Sequence, residues 1–443
     1  MNEFQSLESL LARFRELGTR HVYCKLLAEN DNSKQQIYLG GSFEVLKLLV
    51  FGTIEANTSV KYQNFKARMP LSWIDAQLHV AEAHGAQLIL YPQYPEVRLS
   101  GFIKGCPLAP GNDFQPIPKA DRRFNNGPDG RVLFLAVAEK MVFAYLARAD
   151  SAIAKAIHDN PPRAALLDGG TLREVGIGEA TDAREELIRR LSEIHRTSPH
   201  LSMRLDRYGN RVTYTAPNGG GYTLEALLDI VPNGRSAPDF MGWELKAYSG
   251  SRITLMTPEP NAGFYGQHGV EAFLRKYGRR LPGDTIYFTG SHKVGVRSQT
   301  SGHTLVIEGF DASSAKLKDV GGGIRLLDSA GDIAAEWTFS GLVEHWGRKH
   351  AAVAYVPYAK TAETPPHYYY RTPVLLGEGT EFALFLQAMV DGAVIYDPAP
   401  KLVAASGPLS RTKARSQFRI STKNLASLYR KFEAVLLDTG TAT

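Results

Sequence analysis

The run "HDNPPRAALLDGG", residues 158–170, interrupts the chain with two adjacent prolines and a glycine pair. Proline withdraws a backbone donor and glycine resists ordering, so a continuous helix or strand through this run is disfavoured. The sequence on its two sides has a different texture. From residue 21 to about residue 143 the apolar runs are short ("HVYCKLLA", "QIYLG", "AQLILY", "EVRLSGF", "RVLFLAV") and are broken by Gly, Pro, Asn and Asp, the pattern of a β-rich domain. Beyond the break, Ala183, Leu187, Leu191 and Ile194 recur at helical spacing in "DAREELIRRLSEIHR", with charges between them.

The expected organisation is therefore a first domain over residues 1–160, a linker over 161–180 and a second domain over 181–443. A chain of 443 residues exceeds one ordinary core, which agrees with that division. In the first domain, Leu7, Leu10, Leu11, Phe14 and Leu17 predict a short opening helix that stops at Gly18. The stretch "FLAVAEKMVFAYLARADSAIAKAI" reads as strand or helix running into helix. In the second domain, helices are expected around "YTLEALLDIV", "EFALFLQAMVDG" and "STKNLASLYRKFEAVLLD". Strands are expected in "DTIYFTG", "HTLVIEGF", "GIRLLD" and "AAVAYVPYA". Helices flanking a mixed sheet make this an α/β domain.

Hydrophobic residues are 44% and charged residues 22%, values that exclude disordered, collagenous and coiled-coil classes. Lysine and arginine outnumber the acids 51 to 45, and a pI near 9.0 favours a polyanionic partner mildly. Cys24 and Cys106 alone form neither a disulfide framework nor a thiolate zinc site. No leader-like start and no long apolar run is visible, so the expectation is a cytoplasmic protein with no membrane partner.

The densest chemistry lies in "PDFMGWELKA", residues 238–247. Residues two apart on a strand share a face, so Glu244 and Lys246 project together while Trp243, Leu245 and Ala247 face the core. Asp239 lies five positions before Glu244, and Gly242 permits a bend that brings both carboxylates to one point. Two hard oxygen donors suit Mg²⁺, and a lysine beside such an ion suits phosphodiester hydrolysis, where negative charge builds on the phosphate. The residues by themselves leave an exposed strand face with a weak surface ion pair as the alternative.

The longer run "GYTLEALLDIVPNGRSAPDFMGWELKAYSGSRITLMTPEP" resembles the catalytic segment of the MvaI/BcnI family of restriction endonucleases, within the PD-(D/E)XK nuclease class. "EFALFLQAMVDGAVIYD" and "RSQFRISTKNLASLYRKFE" resemble its C-terminal portion, so the likeness spans most of residues 180–440. The resemblance implies a restriction-endonuclease-like fold with a mixed sheet and flanking helices. It makes Asp239 and Glu244, with the backbone of Leu245, the metal-binding groups, Lys246 the catalytic lysine and Glu225 an added acid on the preceding helix. Arg252 follows in a polar loop suited to a phosphate, and His268 in "YGQHGVEAF" is a weaker candidate than a capping or packing residue. Asp397 and Arg419 stand at family specificity positions, although Ala399 replaces an arginine and the family's histidines before "FRI" are missing. Arg411, Lys413 and Arg415 extend a basic run there.

Residues 20–105 resemble the EcoRII-type effector domain, a B3-like pseudobarrel that holds DNA with two arms. Lys25, Asn30 and Asp31 match the first arm, Glu96 and Arg98 match the second, and Lys34, Gln35 and Gln36 are further candidates. Side chains of these kinds read base edges in a major groove. An Asx-rich turn is the plainer reading of "ENDNSK".

Together these resemblances imply a monomeric, Mg²⁺-dependent type II restriction endonuclease acting on double-stranded DNA at a CC-W-GG type sequence. A second copy of the site would bind the effector domain and stimulate cleavage, and a companion methyltransferase would protect host DNA. Two other readings stand beside it: a repair or strand-specific nicking endonuclease, and a DNA-binding regulator without catalysis.

Overall fold

The computed structural model describes residues 3–29, 36–94, 96–115, 118, 120, 128–162, 170–176, 183–232, 239–349, 352–407 and 409–438. The chain forms two compact units, one of residues 1–180 with Leu317–Gly321, the other of the remaining residues.

The first unit is built on two sheets. The six-stranded sheet has the order Arg173–Glu174, His21–Ala28, Pro128–Val137, Val142–Ala147, Leu71–Ile74, Val80–Glu82. The ambiguous stretch after residue 133 is resolved into two antiparallel strands, Val137 facing Val142, followed by the helix Ala152–Asp159. Helix Leu7–Glu16 starts on a Ser6 capping box and is followed by Gly18 at φ 73°. Its Leu10, Leu11 and Phe14 bury against Val22, Cys24, Phe134, Ile153 and Ile157, as the helical spacing requires. The five-stranded sheet has the order Gln36–Gly40, Glu96–Ser100, Gln87–Tyr91, Asn64–Arg68, Ile54–Asn57. Ile37, Leu39, Val97 and Leu99 are buried in alternation with more polar residues, and Leu88, Ile89 and Leu90 are buried in succession.

The second unit centres on a sheet ordered His200–Leu201, His367–Tyr370, Ala352–Lys360, Val374–Glu378, Lys431–Val435. Strand Glu244–Tyr248 runs parallel to Ala352–Lys360, with Glu244 opposite Val353 and Lys246 opposite Tyr355. Helices Ala183–Arg196 and Gly219–Leu227 cover one face. Their Leu187, Leu191 and Leu224 bury with Trp243, Leu245, Ala354 and Val356. Alternation along the strand therefore turns Glu244 and Lys246 to the other face. A three-stranded sheet of Arg252–Met256, Phe418–Ser421 and Val394–Tyr396 follows from the same segment.

The helix expected over residues 421–438 does not form. A 3-10 turn, Thr422–Leu428, is followed by strand Lys431–Val435, which pairs antiparallel with Val374–Glu378. Leu425, Leu428 and Tyr429 have a spacing that satisfies either structure, and the open sheet edge decides the outcome by giving the following residues a ladder. Helices Gly263–Tyr277 and Phe339–Lys349 are not among the expected elements, although Phe339, Leu342, Val343 and Trp346 stand at helical spacing and are buried. Among the described residues, no helix is long and apolar enough to cross a membrane.

Candidate active site

Four residues, Phe240 to Trp243, form a tight hairpin turn in which the Phe240 and Trp243 backbones bond in both directions at 2.8–2.9 Å. Met241 and Gly242, its two central residues, lie at φ 45° and 91°. Positive φ at both positions is the signature of the turn whose twist matches a hairpin, and glycine accepts it without a Cβ penalty. The turn folds Asp239 back over the start of the next strand, where its Oδ2 accepts the Leu245 amide proton at 2.9 Å. Standard bond lengths then put that oxygen within about 6 Å of the Glu244 Cα.

Glu244 is 7% exposed, a buried carboxylate. Lys246 Nζ donates to its Oε1 at 3.1 Å. A buried carboxylate needs such a partner, because desolvation without one is prohibitive. The hard carboxylate oxygens of Asp239 and Glu244 fit a divalent cation of the Mg²⁺ class, and the Leu245 carbonyl is a further hard donor in the same segment. Among the described residues, no three His, Cys, Asp or Glu side chains gather as a metal-holding group.

Two groups invisible in the motif lie beside Glu244. Tyr355, opposite Lys246 in the parallel register, has its hydroxyl 2.7 Å from that of Tyr429, and both rings are buried. Burial first, and then neighbouring charge that includes Glu244, holds both phenols well above their ordinary range. Gly377 makes room for this pair, since a Cβ there would lie 2.6 Å from the Tyr429 ring. No sequence pattern signalled either tyrosine, because both reach the site through long-range strand pairing.

Glu225 stands on helix Gly219–Leu227, which packs against the acidic strand from the side of Leu245. It lies near Tyr370, whose phenol is raised by burial first and by several nearby groups, Glu225 the weakest. Arg252 is exposed at the start of its strand, opposite Ser421. His268 is exposed and its ring centroid is 4.5 Å from that of Phe264.

Asp397 and Arg419 meet directly, Arg419 Nη1 donating to Asp397 Oδ2 at 2.7 Å. Arg419 lies in the central strand of the three-stranded sheet, between Thr254 and Ile395. Its Nε is buried and has no hydrogen-bond partner among the described residues. Arg415 is exposed, and its carbonyl accepts the Ala399 amide at 2.9 Å.

In the first unit, Glu96 and Arg98 pair at 2.8 Å, Arg98 Nη1 donates to Gln36 Oε1 at 3.3 Å, and the guanidinium lies over the Tyr91 ring. Gln36, Glu96 and Arg98 thus form one cluster on the five-stranded sheet. Lys25 is 4% exposed within strand His21–Ala28. Asn30, Asp31, Lys34 and Gln35 lie outside the described residues.

The model of the MvaI/BcnI restriction endonuclease family matches residues 188–429, more than half of the chain and the whole of the Asp239–Lys246 segment. The chain belongs to the MvaI/BcnI restriction endonuclease family. Similar solved structures are the restriction endonuclease MvaI with its cognate DNA substrate, at 18% identity and TM-score 0.44, and MvaI in the absence of DNA, at 17% and 0.33. Each alignment covers 58% of this chain and 100% of the other. No curated protein matches. Residues before 188, including the Gln36–Glu96–Arg98 cluster, lie outside the MvaI/BcnI match.

Proposed function

We propose that this member of the MvaI/BcnI family is a Mg²⁺-dependent type II restriction endonuclease that hydrolyses DNA phosphodiester bonds. The observation that carries the reading is the hairpin that presses Asp239 onto the Leu245 amide while Lys246 bridges to Glu244 on the same short segment.

Asp239, Glu244 and the Leu245 carbonyl would hold the divalent ion. When bound, that ion supplies positive charge at the scissile phosphate and makes a nearby water more acidic. Lys246 has three donors, of which Glu244 takes one. The remaining donors orient a water toward the phosphorus and stabilise the charge that develops on the phosphate oxygens. Glu244, buried and ion-paired, holds the ammonium in place. Glu225 contributes from the adjoining helix. Arg419, with Asp397 fixing its guanidinium, reads bases or phosphates, and Arg252 and Arg415 add phosphate contacts.

The first unit serves in this reading as a B3-like effector domain that grips duplex DNA through Gln36, Glu96 and Arg98, joined by Lys25, Asn30, Asp31 and Lys34. Its sheet supports a reader because the Arg98 guanidinium is already fixed by Glu96, Gln36 and Tyr91. The chain acts as a monomer on a CC-W-GG type sequence, is stimulated by a second copy of it, and operates beside a protecting methyltransferase.

The test is incubation of unmethylated plasmid and phage DNA with the wild type and with Lys246→Ala, with and without Mg²⁺, followed by sequencing of the ends. Discrete Mg²⁺-dependent fragments lost in the variant are expected. Tight binding without any cleavage by the wild type would overturn the reading.

A further inference from the structure

A four-stranded sheet of the second unit, Arg279–Leu281, Thr285–Tyr287, Lys401–Val403 and Arg411–Lys413, carries five cations in its strands and no acid. Its register sets Arg279, Tyr287, Lys401 and Lys413 in one row across all four strands. Leu281, Thr285, Val403 and Arg411 form the next row on the same face, two positions along. On the opposite face the two middle strands are buried, Ile286 at 3% exposure and Leu402 fully, while Arg280 and Thr412 of the outer strands are exposed.

Three observations mark the open face as more than a solvated surface. Lys401 and Lys413 stand directly opposite each other in an antiparallel pair, an arrangement that destabilises a sheet. Among the described residues, Arg279, Lys401, Arg411 and Lys413 form no ion pair; the acid in the first turn, Asp284, is instead taken up by the Ser406 amide and hydroxyl. The same face also presents apolar and aromatic surface, with Lys401 Nζ 5.4 Å from the Tyr287 ring centroid and Leu281 43% exposed.

The last two strands are the outer part of a ribbon whose inner end carries the Asp397–Arg419 pair. Asp397 N bonds to the Gln417 carbonyl and Ala399 N to that of Arg415, so the pairing runs on from Tyr396–Phe418 to Lys401–Lys413. At the inner end Arg419 pairs with Thr254, on the strand that follows the acidic one.

We infer that this ribbon face binds the phosphate backbone of the duplex beside the cut, as a second contact surface separate from the Asp397–Arg419 pair. The inference rests on the endonuclease reading. The row spans three strand spacings, about 14 Å, on the scale of the roughly 12 Å major-groove opening between phosphate strands. A polyanion supplies the counter-charge that the Lys401–Lys413 pair lacks among the described residues.

The experiment is a salt titration of the full chain binding a labelled 30-base-pair duplex of arbitrary sequence in EDTA, for the wild type, Lys401→Gln/Lys413→Gln and Lys401→Arg/Lys413→Arg. Loss of two phosphate contacts lowers the slope of log Kd against log salt by about two, and the arginine variant keeps the wild-type slope. The glutamine variant also melts at a higher temperature than the wild type in the absence of DNA. An unchanged slope in the glutamine variant, with a wild type that binds and cuts DNA, overturns this inference alone. A wild type with no affinity for duplex overturns both it and the endonuclease reading.

Discussion

The Asp239 carboxylate accepts the amide proton of Leu245 at 2.9 Å, so an acid outside the strand is fastened to the residue that separates Glu244 from Lys246. The fastening depends on the turn between them. Gly242 lies at φ 91°, and a Cβ there would meet nothing within 4 Å, so Gly242→Ala introduces backbone strain and no clash. It is expected to lower stability by about 1 kcal/mol. Met241→Gly, at φ 45° and 48% exposed, relieves strain in the same turn. Urea midpoints of the two variants should move in opposite directions, and a shared direction would remove the turn from the account.

Lys246→Ala is expected to leave duplex binding within a few-fold of the wild type while slowing cleavage by about 10²-fold or more, the scale of a lost charge-stabilising donor. The two properties are read side by side by filter binding and by plasmid conversion. Equal losses in both would assign Lys246 to binding instead.

Tyr429→Phe leaves the Tyr355 hydroxyl buried without the partner it now has at 2.7 Å. Leaving a buried polar group unsatisfied costs about 1–3 kcal/mol. Thermal or chemical unfolding of the variant gives the number directly; a loss below a few tenths of a kcal/mol would mean that another group satisfies Tyr355.

His292 is fully buried, its Nε2 2.7 Å from the Ser301 hydroxyl, and burial is the main cause that pushes the imidazole down from 6.5 to about 4. The unfolded chain therefore takes up the proton more readily between those values. The contribution of the neutral ring is complete above about pH 6.5 and is lost as the pH falls toward 4, an effect of about 3 kcal/mol. Urea unfolding at pH 7.5 and 4.5 should show a smaller difference for His292→Gln than for the wild type. Identical pH dependence in the two proteins would locate the titration elsewhere.

Legibility in the sequence followed distance along the chain. Glu244 and Lys246 could be set on one face because the strand period is local, and Gly242 announced a bend before them. Tyr355 and Tyr429 were silent, since only the parallel pairing of Glu244–Tyr248 with Ala352–Lys360 and the fit of Tyr429 over Gly377 bring them near. The final segment misled because Leu425, Leu428 and Tyr429 have helical spacing, whereas a sheet edge more than fifty residues earlier claims the strand that follows. Basic character at Arg411 and Lys413 was plain, but their alignment with Arg279 and Lys401 depends on a register that no single segment encodes.

The two acids and the lysine sit within eight consecutive residues, whereas the Asp397–Arg419 ribbon is assembled from the far end of the chain. In the endonuclease reading, chemistry and address therefore lie on different segments, so a substitution in the ribbon would shift sequence preference without touching the geometry of the hairpin.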